Sequence, residues 1–186
     1  HLQGKEPSAF WRDGSGAIFL TMGKECMRIG NRALATTYYH TALQTLDTRD
    51  TNGYRDLLLF FATTADNASY ERALERYQNL AAGDSIEHNW TLARAFIAHG
   101  DAGMALPHLE RILVRTPDDP QAWYFKAQAQ SKLHEYDEAR ESLREAIRNA
   151  ASTPDFYVFL GHTYLYQGQV DQATEWYSQA LRLDPD

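Results

Sequence analysis

The sequence predicts an all-α chain in which about five helix–turn–helix units stack as a solenoid, and three observations carry that expectation. First, Ala105, Ala139 and Ala173 lie 34 residues apart, and their surroundings repeat at the same interval. Ala93, Ala127 and Gly161 agree, as do Leu109, Leu143 and Tyr177, and Trp123 matches Tyr157. Second, apolar or small residues recur at steps of 3, 4 and 7, the spacing of one helix face. Third, Pro and Asp punctuate the junctions at Thr116-Pro117-Asp118-Asp119-Pro120 and Thr153-Pro154-Asp155, where a cap residue followed by Pro starts a helix. A fixed period of this size marks repeated supersecondary units rather than a single domain built around a deep catalytic cleft.

The elements follow in order once the repeating alanine is placed at position 20 of a 34-residue unit. Residues 1–15 form an N-terminal extension with a short flexible joint at Gly14-Ser15-Gly16. The units then span 16–49, 50–85, 86–119, 120–153 and 154–186 in one continuous solenoid. In the last, Tyr157, Leu160, Gly161 and Tyr164 mark the first helix, and Ala173, Tyr177 and Ala180 the second. Gly168 falls in the turn between them, and Pro185 ends the unit. Gly161 and Ala127 are small because the first helix must approach the second closely there, and the alanine at position 20 keeps the crossing free of a wedge. The 50–85 unit is degenerate. Ala73 and Tyr77 anchor its second helix, but a first helix from about Tyr54 to Ala65 fits only if one residue is missing from the turn at Asp66-Asn67-Ala68. Regular geometry is expected to break there.

This pattern closely resembles the tetratricopeptide repeat family. That family's order of a large aromatic, Leu-Gly, Tyr, Ala, an aromatic, Ala and Pro reads here as Tyr157, Leu160-Gly161, Tyr164, Ala173, Tyr177, Ala180 and Pro185. The 86–119 unit matches through Leu92-Ala93, Phe96, Gly100, Leu109 and Pro117, and departs at Asn89, where the aromatic has moved to Trp90. The first unit matches through Phe19, Met22-Gly23, Cys26, Gly30, Ala35, Tyr39 and Ala42. The resemblance implies a right-handed superhelix whose first helices line a concave groove. Positions 2, 5, 9, 12 and 13 would then face a partner segment. They hold Leu20, Lys24, Met27 and Arg28; Leu59 and Thr63; Trp90, Arg94 and Ile97; Gln121, Tyr124, Gln128 and Ser131; and Val158, His162, Leu165 and Tyr166.

The family's clamp for chaperone C-terminal carboxylates uses Lys and Asn at positions 5 and 9. The pairs here are Leu20/Lys24, Trp90/Arg94, Tyr124/Gln128 and Val158/His162. None carries the clamp, so a co-chaperone role is disfavoured. Lys126 and Gln130 occupy normally apolar positions 7 and 11. They form either a polar site or ion pair between units, or a slightly rotated helix whose Lys stem packs while its ammonium reaches water; the second is preferred.

Composition excludes several classes. The chain has 186 residues, 44% of them apolar, and a net charge of −7, which argues against nucleic acid as a partner because a phosphate backbone wants a basic patch. The longest apolar run, Leu57 to Ala62, is far short of the roughly 18 residues of a membrane span. The single Cys26 excludes a disulfide scaffold and sits at a core position, as a small buried apolar group. No histidine pair has the i,i+4 spacing of a metal site, and no carboxylate pair stands out as acid and base. Asn67 and Asn89 head Asn-X-Ser/Thr triplets, read as chance. No cofactor and no enzymatic chemistry are expected.

The expected function is a non-catalytic scaffold that binds a protein or peptide in its groove, as part of a larger assembly or secretion protein. The compact loops suggest a bacterial cytoplasm or periplasm, without deciding the compartment. The absence of an initial Met and the stop at Asp186 suggest an excised piece. Self-association is an alternative, through Trp176, Leu181 and Leu183 on a last helix that no polar cap follows; an accessory domain of a larger enzyme is another.

Overall fold

The computed structural model describes residues 15–81 and 83–184. They contain ten α-helices and no strand. The helices are α1 (Ser15–Arg28), α2 (Arg32–Thr45), α3 (Thr51–Phe61), α4 (Asn67–Leu80), α5 (Ile86–His99), α6 (Ala102–Arg115), α7 (Pro120–Lys132), α8 (Tyr136–Asn149), α9 (Pro154–Tyr166) and α10 (Val170–Leu183). Consecutive helices pack as hairpins, and the chain divides into two compact units, His1–Gly83 and Asp84–Asp186. Pro185 and most of the N-terminal extension, including Gly14, lie outside the described residues.

In the first unit, Asn31, Asp50 and Asp66 cap α2, α3 and α4 through their side-chain oxygens, satisfying N–H groups that no helical turn can reach. Gly23 of α1 lies against Tyr39 of α2, where a Cβ would come within 2.7 Å of the ring. Tyr39 in turn packs on Phe60 of α3 with ring centroids 4.2 Å apart. Cys26 is buried and free.

The irregularity around Ala73 has a different origin from a one-residue gap in the turn. The repeating alanine is the fourth residue of α2, α6, α8 and α10, as Ala35, Ala105, Ala139 and Ala173. In α4 the fourth residue is Tyr70, which is buried, and Ala73 is the seventh. Two local features cause the shift. The hydroxyls of Thr63 and Thr64 donate to the carbonyls of Phe60 and Phe61, ending α3 at 11 residues. Asp66 then caps the next helix by accepting from the Ser69 N–H. Helix α4 therefore starts a full turn before Ala73 requires. Its buried face runs Tyr70, Ala73, Tyr77, with steps of 3 then 4, against 4 then 3 at Ala105, Leu109 and Ile112.

In the second unit, Ala127, Ala139, Leu143 and Leu160 form a fully buried cluster, with Tyr124, Ile147, Phe159, Tyr164 and Trp176 packed around it. Gly161 repeats the device of Gly23: a Cβ there would meet the Tyr177 ring at 2.6 Å. Where this position is Ala93 or Ala127, the facing residue is Leu109 or Leu143. Small-against-large compensation thus holds the crossing distance within the narrow range that close packing allows. Asp119 accepts from the backbone N–H groups of Gln121 and Ala122 ahead of Pro120. Thr153 precedes Pro154 without a side-chain capping bond.

Candidate functional site

The first helices of the second unit's hairpins, α5, α7 and α9, share a continuous line of aromatic contacts. Trp90 meets Phe125 edge-on at 5.4 Å, and Phe125 meets Tyr124 at 6.1 Å. Tyr124 lies 5.6 Å from Phe159, followed by His162 at 6.3 Å and Tyr166 at 6.4 Å. Phe159, His162 and Tyr166 follow one another at steps of 3 and 4 on α9, whereas Tyr124 and Phe125 are neighbours on α7 that meet rings of different adjacent helices. Trp90, Tyr124, Gln128, Val158 and His162 are half-buried, and Gln121 and Arg94 are exposed. Leu165 is exposed, and Tyr166 is 61% exposed.

Not every residue expected on this face reaches it. Leu20 and Ile97 retain only 7% and 6% of their surface and belong to the packing; Ser131 is also buried. In the first unit Lys24 pairs with Asp56 of α3 at 2.5 Å, and Arg28 pairs with Glu25. Met27 is exposed and Leu59 half-buried. Thr63 lies beyond the end of α3, and its carbonyl and hydroxyl oxygens accept from Arg32.

Acidic residues are sparse on the first helix of each hairpin in this unit. Helices α5, α7 and α9 hold only two acids, Glu87 and Asp155, both in a first turn, where the helix dipole favours them. Arg94, Lys126 and Lys132 follow. The second helices carry Glu110, Asp137, Glu138, Glu141, Glu145, Asp171 and Glu175, interleaved with Arg111, Arg115, Arg140, Arg144, Arg148 and Arg182. Arg94 and Lys132 make no ion pair among the described residues, whereas Arg148 and Arg140 pair with acids on their own helix.

At the α7–α8 turn an open cleft of about 480 Å³ is walled by Tyr136, Phe159 and Tyr166, with Lys132 and His134 also lining it. Tyr136 and Tyr166 lie 5.8 Å apart, and His134 Nδ1 is 2.9 Å from the Tyr136 hydroxyl. His134 has φ 64°, at the place in the repeat where Gly30, Gly100 and Gly168 have φ 79°, 110° and 75°. A left-handed conformation costs a residue with a Cβ about 1–2 kcal/mol, so the histidine is held there against a local preference. Of the lining residues, sequence reasoning reached Tyr166, Gln128 and Ser131 and missed Lys132, His134, Tyr136 and Phe159. The available signals were a histidine in a glycine position and, for Lys132, position 13 of its unit, the place that Arg28 and Tyr166 hold in theirs.

Two polar clusters lie elsewhere in the unit. Ser142 Oγ donates to Gln130 Oε1 at 2.7 Å inside the α7–α8 hairpin, and both residues are buried. Lys126 is half-buried with its ammonium 5.3 Å from the Trp123 ring centroid, beside an open cleft that Glu138, Glu141 and Glu145 also line. The lysine thus packs its stem and keeps its head at the surface, while Gln130 finds its partner within its own hairpin rather than between units.

The second cluster centres on Asn89, which is 1% exposed. Its Nδ2 donates to Asp84 Oδ1 at 2.7 Å and to the Ser85 carbonyl at 2.9 Å. Its Oδ1 must then accept from His108 Nδ1, 2.8 Å away, which fixes the histidine tautomer. Asn89 is therefore the hub that ties α5 to α6. Burial lowers the pKa of both His108 and His88. As pH falls below the ordinary histidine value near 6.5, the unfolded chain takes up protons that the folded imidazoles resist. The stability these groups support is full above that pH and is lost as acid titrates the unfolded state.

Comparison with known proteins agrees with this architecture. The tetratricopeptide repeat model matches residues 91–154 and 126–186, together just over half of the chain. The chain belongs to the tetratricopeptide repeat family. This membership brings the all-α helical-repeat fold and supports the general class of protein–protein interaction scaffold. A DnaJ homolog subfamily C member 7 homolog of Schizosaccharomyces pombe is 25% identical over 185 residues, covering 96% of this chain. The chain spans 38% of that relative's length. Among solved structures, MamA from MSR-1 aligns with TM-score 0.65 and 19% identity over 93% of this chain and 98% of its own. MamA 41-end from Desulfovibrio magneticus RS-1 aligns with TM-score 0.64 and 15% identity over 94% and 97%. Among the described residues, no helix is long and apolar enough to cross a membrane, and no group of three or more His, Cys, Asp or Glu residues is placed to hold a metal ion.

Proposed function

We propose that this chain is a non-catalytic scaffold that holds a partner protein segment along the α5–α7–α9 face, within a longer protein. The observation that carries the reading is the aromatic line from Trp90 to Tyr166, flanked by the unpaired Arg94 and Lys132. Rigid aromatic side chains contribute large contact area at small entropic cost, and their spacing along three helices suits an extended segment better than a compact small molecule. Selection of displayed random peptides on the whole chain tests this. Peptides enriched on the native chain are expected to be lost when Trp90, Tyr124 and Tyr166 are replaced by Ala together, with helicity unchanged. Undiminished capture by that folded variant overturns the proposal.

A second reading, self-association through α10, draws on one series of exposures. Leu113 is buried and Ile147 packs on the core cluster, but Leu181, 34 residues further on, is 63% exposed. Val170, which follows Ala102 and Tyr136 in the same way, is 57% exposed. Light scattering across a concentration series decides it: a dimer that Leu181→Asp dissociates supports pairing, and a monomer at every concentration removes it.

A further inference from the structure

The cleft at the α7–α8 turn carries more chemistry than a generic groove wall. We infer that it receives an aromatic side chain flanked by a carboxylate in the bound segment, with the aromatic ring against Tyr136, Phe159 and Tyr166 and the carboxylate at Lys132. This rests on the reading of the α5–α7–α9 face as a peptide surface and specifies the chemistry at one end of it.

The walls supply the first half of that pair. Three aromatic side chains border an open space of about 480 Å³, within the range of small-ligand sites, and offset or edge-on ring contacts add to the area they bury. Charge supplies the second half. In a chain of net charge −7, this lining contains no carboxylate, and Lys132 is its one permanently charged group. Lys132 makes no ion pair among the described residues. The nearest acids in sequence do not neutralise it: Glu135 is exposed and outside the lining, and Asp137 is engaged by Arg140. A cationic side chain would meet an ammonium and find no anion in the cleft.

His134 completes the arrangement. Its left-handed backbone sets the imidazole on the rim, within hydrogen-bond distance of the Tyr136 hydroxyl, where the glycines of the other hairpins present nothing. The polar floor of Gln128 and Ser131 leaves room for the peptide backbone to find partners.

Peptide display on the whole chain, followed by fluorescence-anisotropy titration of a synthetic peptide bearing the enriched motif, tests the inference. Phe, Tyr or Trp next to Asp or Glu is the expected motif. Lys132→Glu is expected to weaken that peptide roughly tenfold, with a matching loss of salt dependence. His134→Gly is expected to weaken it while raising the melting temperature, opposite signs that a purely structural role would not produce. A motif without a carboxylate, or an affinity unchanged by Lys132→Glu, overturns the inference. Peptides lost on Trp90→Ala or Arg94→Glu but retained by Lys132→Glu leave the broader face standing and remove the cleft. No enrichment at all on the native chain removes both.

Discussion

Hairpins α7–α8 and α9–α10 share a template and differ in what fills it. At successive equivalent places the first has Lys126, Ala127, Gln130, His134, Arg140 and Leu143, and the second Leu160, Gly161, Tyr164, Gly168, Thr174 and Tyr177. The second hairpin follows the family's apolar pattern throughout. The first puts a buried Gln130–Ser142 hydrogen bond, a half-exposed lysine and a left-handed histidine into the same backbone. The difference teaches that the repeat constrains volumes at the helix crossing strictly and polarity only loosely, provided each buried polar atom has a partner. The turn of this more polar hairpin also opens onto the cleft walled by Tyr136, Phe159 and Tyr166.

The sharpest way to break the comparison is to exchange the crossing pair. Gly161→Ala should destabilise the chain by about 1–3 kcal/mol, because the new methyl overlaps the Tyr177 ring. Adding Tyr177→Leu, which rebuilds the Ala–Leu pair of α7–α8, should recover most of that loss in a urea-denaturation double-mutant cycle. Additive effects would mean that the two residues do not set the crossing together. A second exchange concerns polarity. Ser142→Ala leaves a buried Gln130 oxygen without its donor and should cost about 1–2 kcal/mol, whereas Ser142→Ala with Gln130→Leu should return close to the native midpoint.

The turn gives a smaller effect. His134→Gly should raise stability by up to about 1 kcal/mol, since relief of the left-handed strain is partly offset by the entropy of glycine; differential scanning calorimetry reads this directly. Lys126→Leu, which restores the residue type of α9, should shift stability by no more than about 0.5 kcal/mol. A large drop in melting temperature on that substitution would show that the ammonium is more than a surface group.

Much of this was legible in the sequence, and the reasons for the exceptions are local. Period 34 exposes every hairpin built on a small residue facing a large one, because that constraint is steric and repeats wherever two helices cross. Helix α4 escaped, since its start is decided by the Asp66 cap and by Thr63 and Thr64 ending α3, not by the apolar pattern that surrounds Ala73. On the candidate surface, Trp90, Tyr124, His162 and Tyr166 are expected from the groove positions that the family resemblance implies, not from spacing alone. Leu20 and Ile97 could not be recognised as packed, because the repeat position says which way a side chain points and nothing about what covers it. Lys132, His134, Tyr136 and Phe159 come from one turn and three helices, so their meeting is a tertiary fact. Asn89 looked like a lost aromatic; its partner His108 lies 19 residues away, at a spacing no motif announces.

Arg140 has a consequence for how this unit comes apart. Its guanidinium is buried 4.6 Å from the Tyr164 ring and donates to Gln167, both supplied by the following hairpin and its turn, while its anion, Asp137, sits on its own helix. If α9–α10 frays, the arginine loses a ring and an amide and keeps its counter-ion. No isolated charge is stranded in an apolar seam, and the freed guanidinium passes straight into water. Separating the two hairpins would therefore cost the buried contacts of Leu160 with Ala127, Ala139 and Leu143, but it would strand no charge.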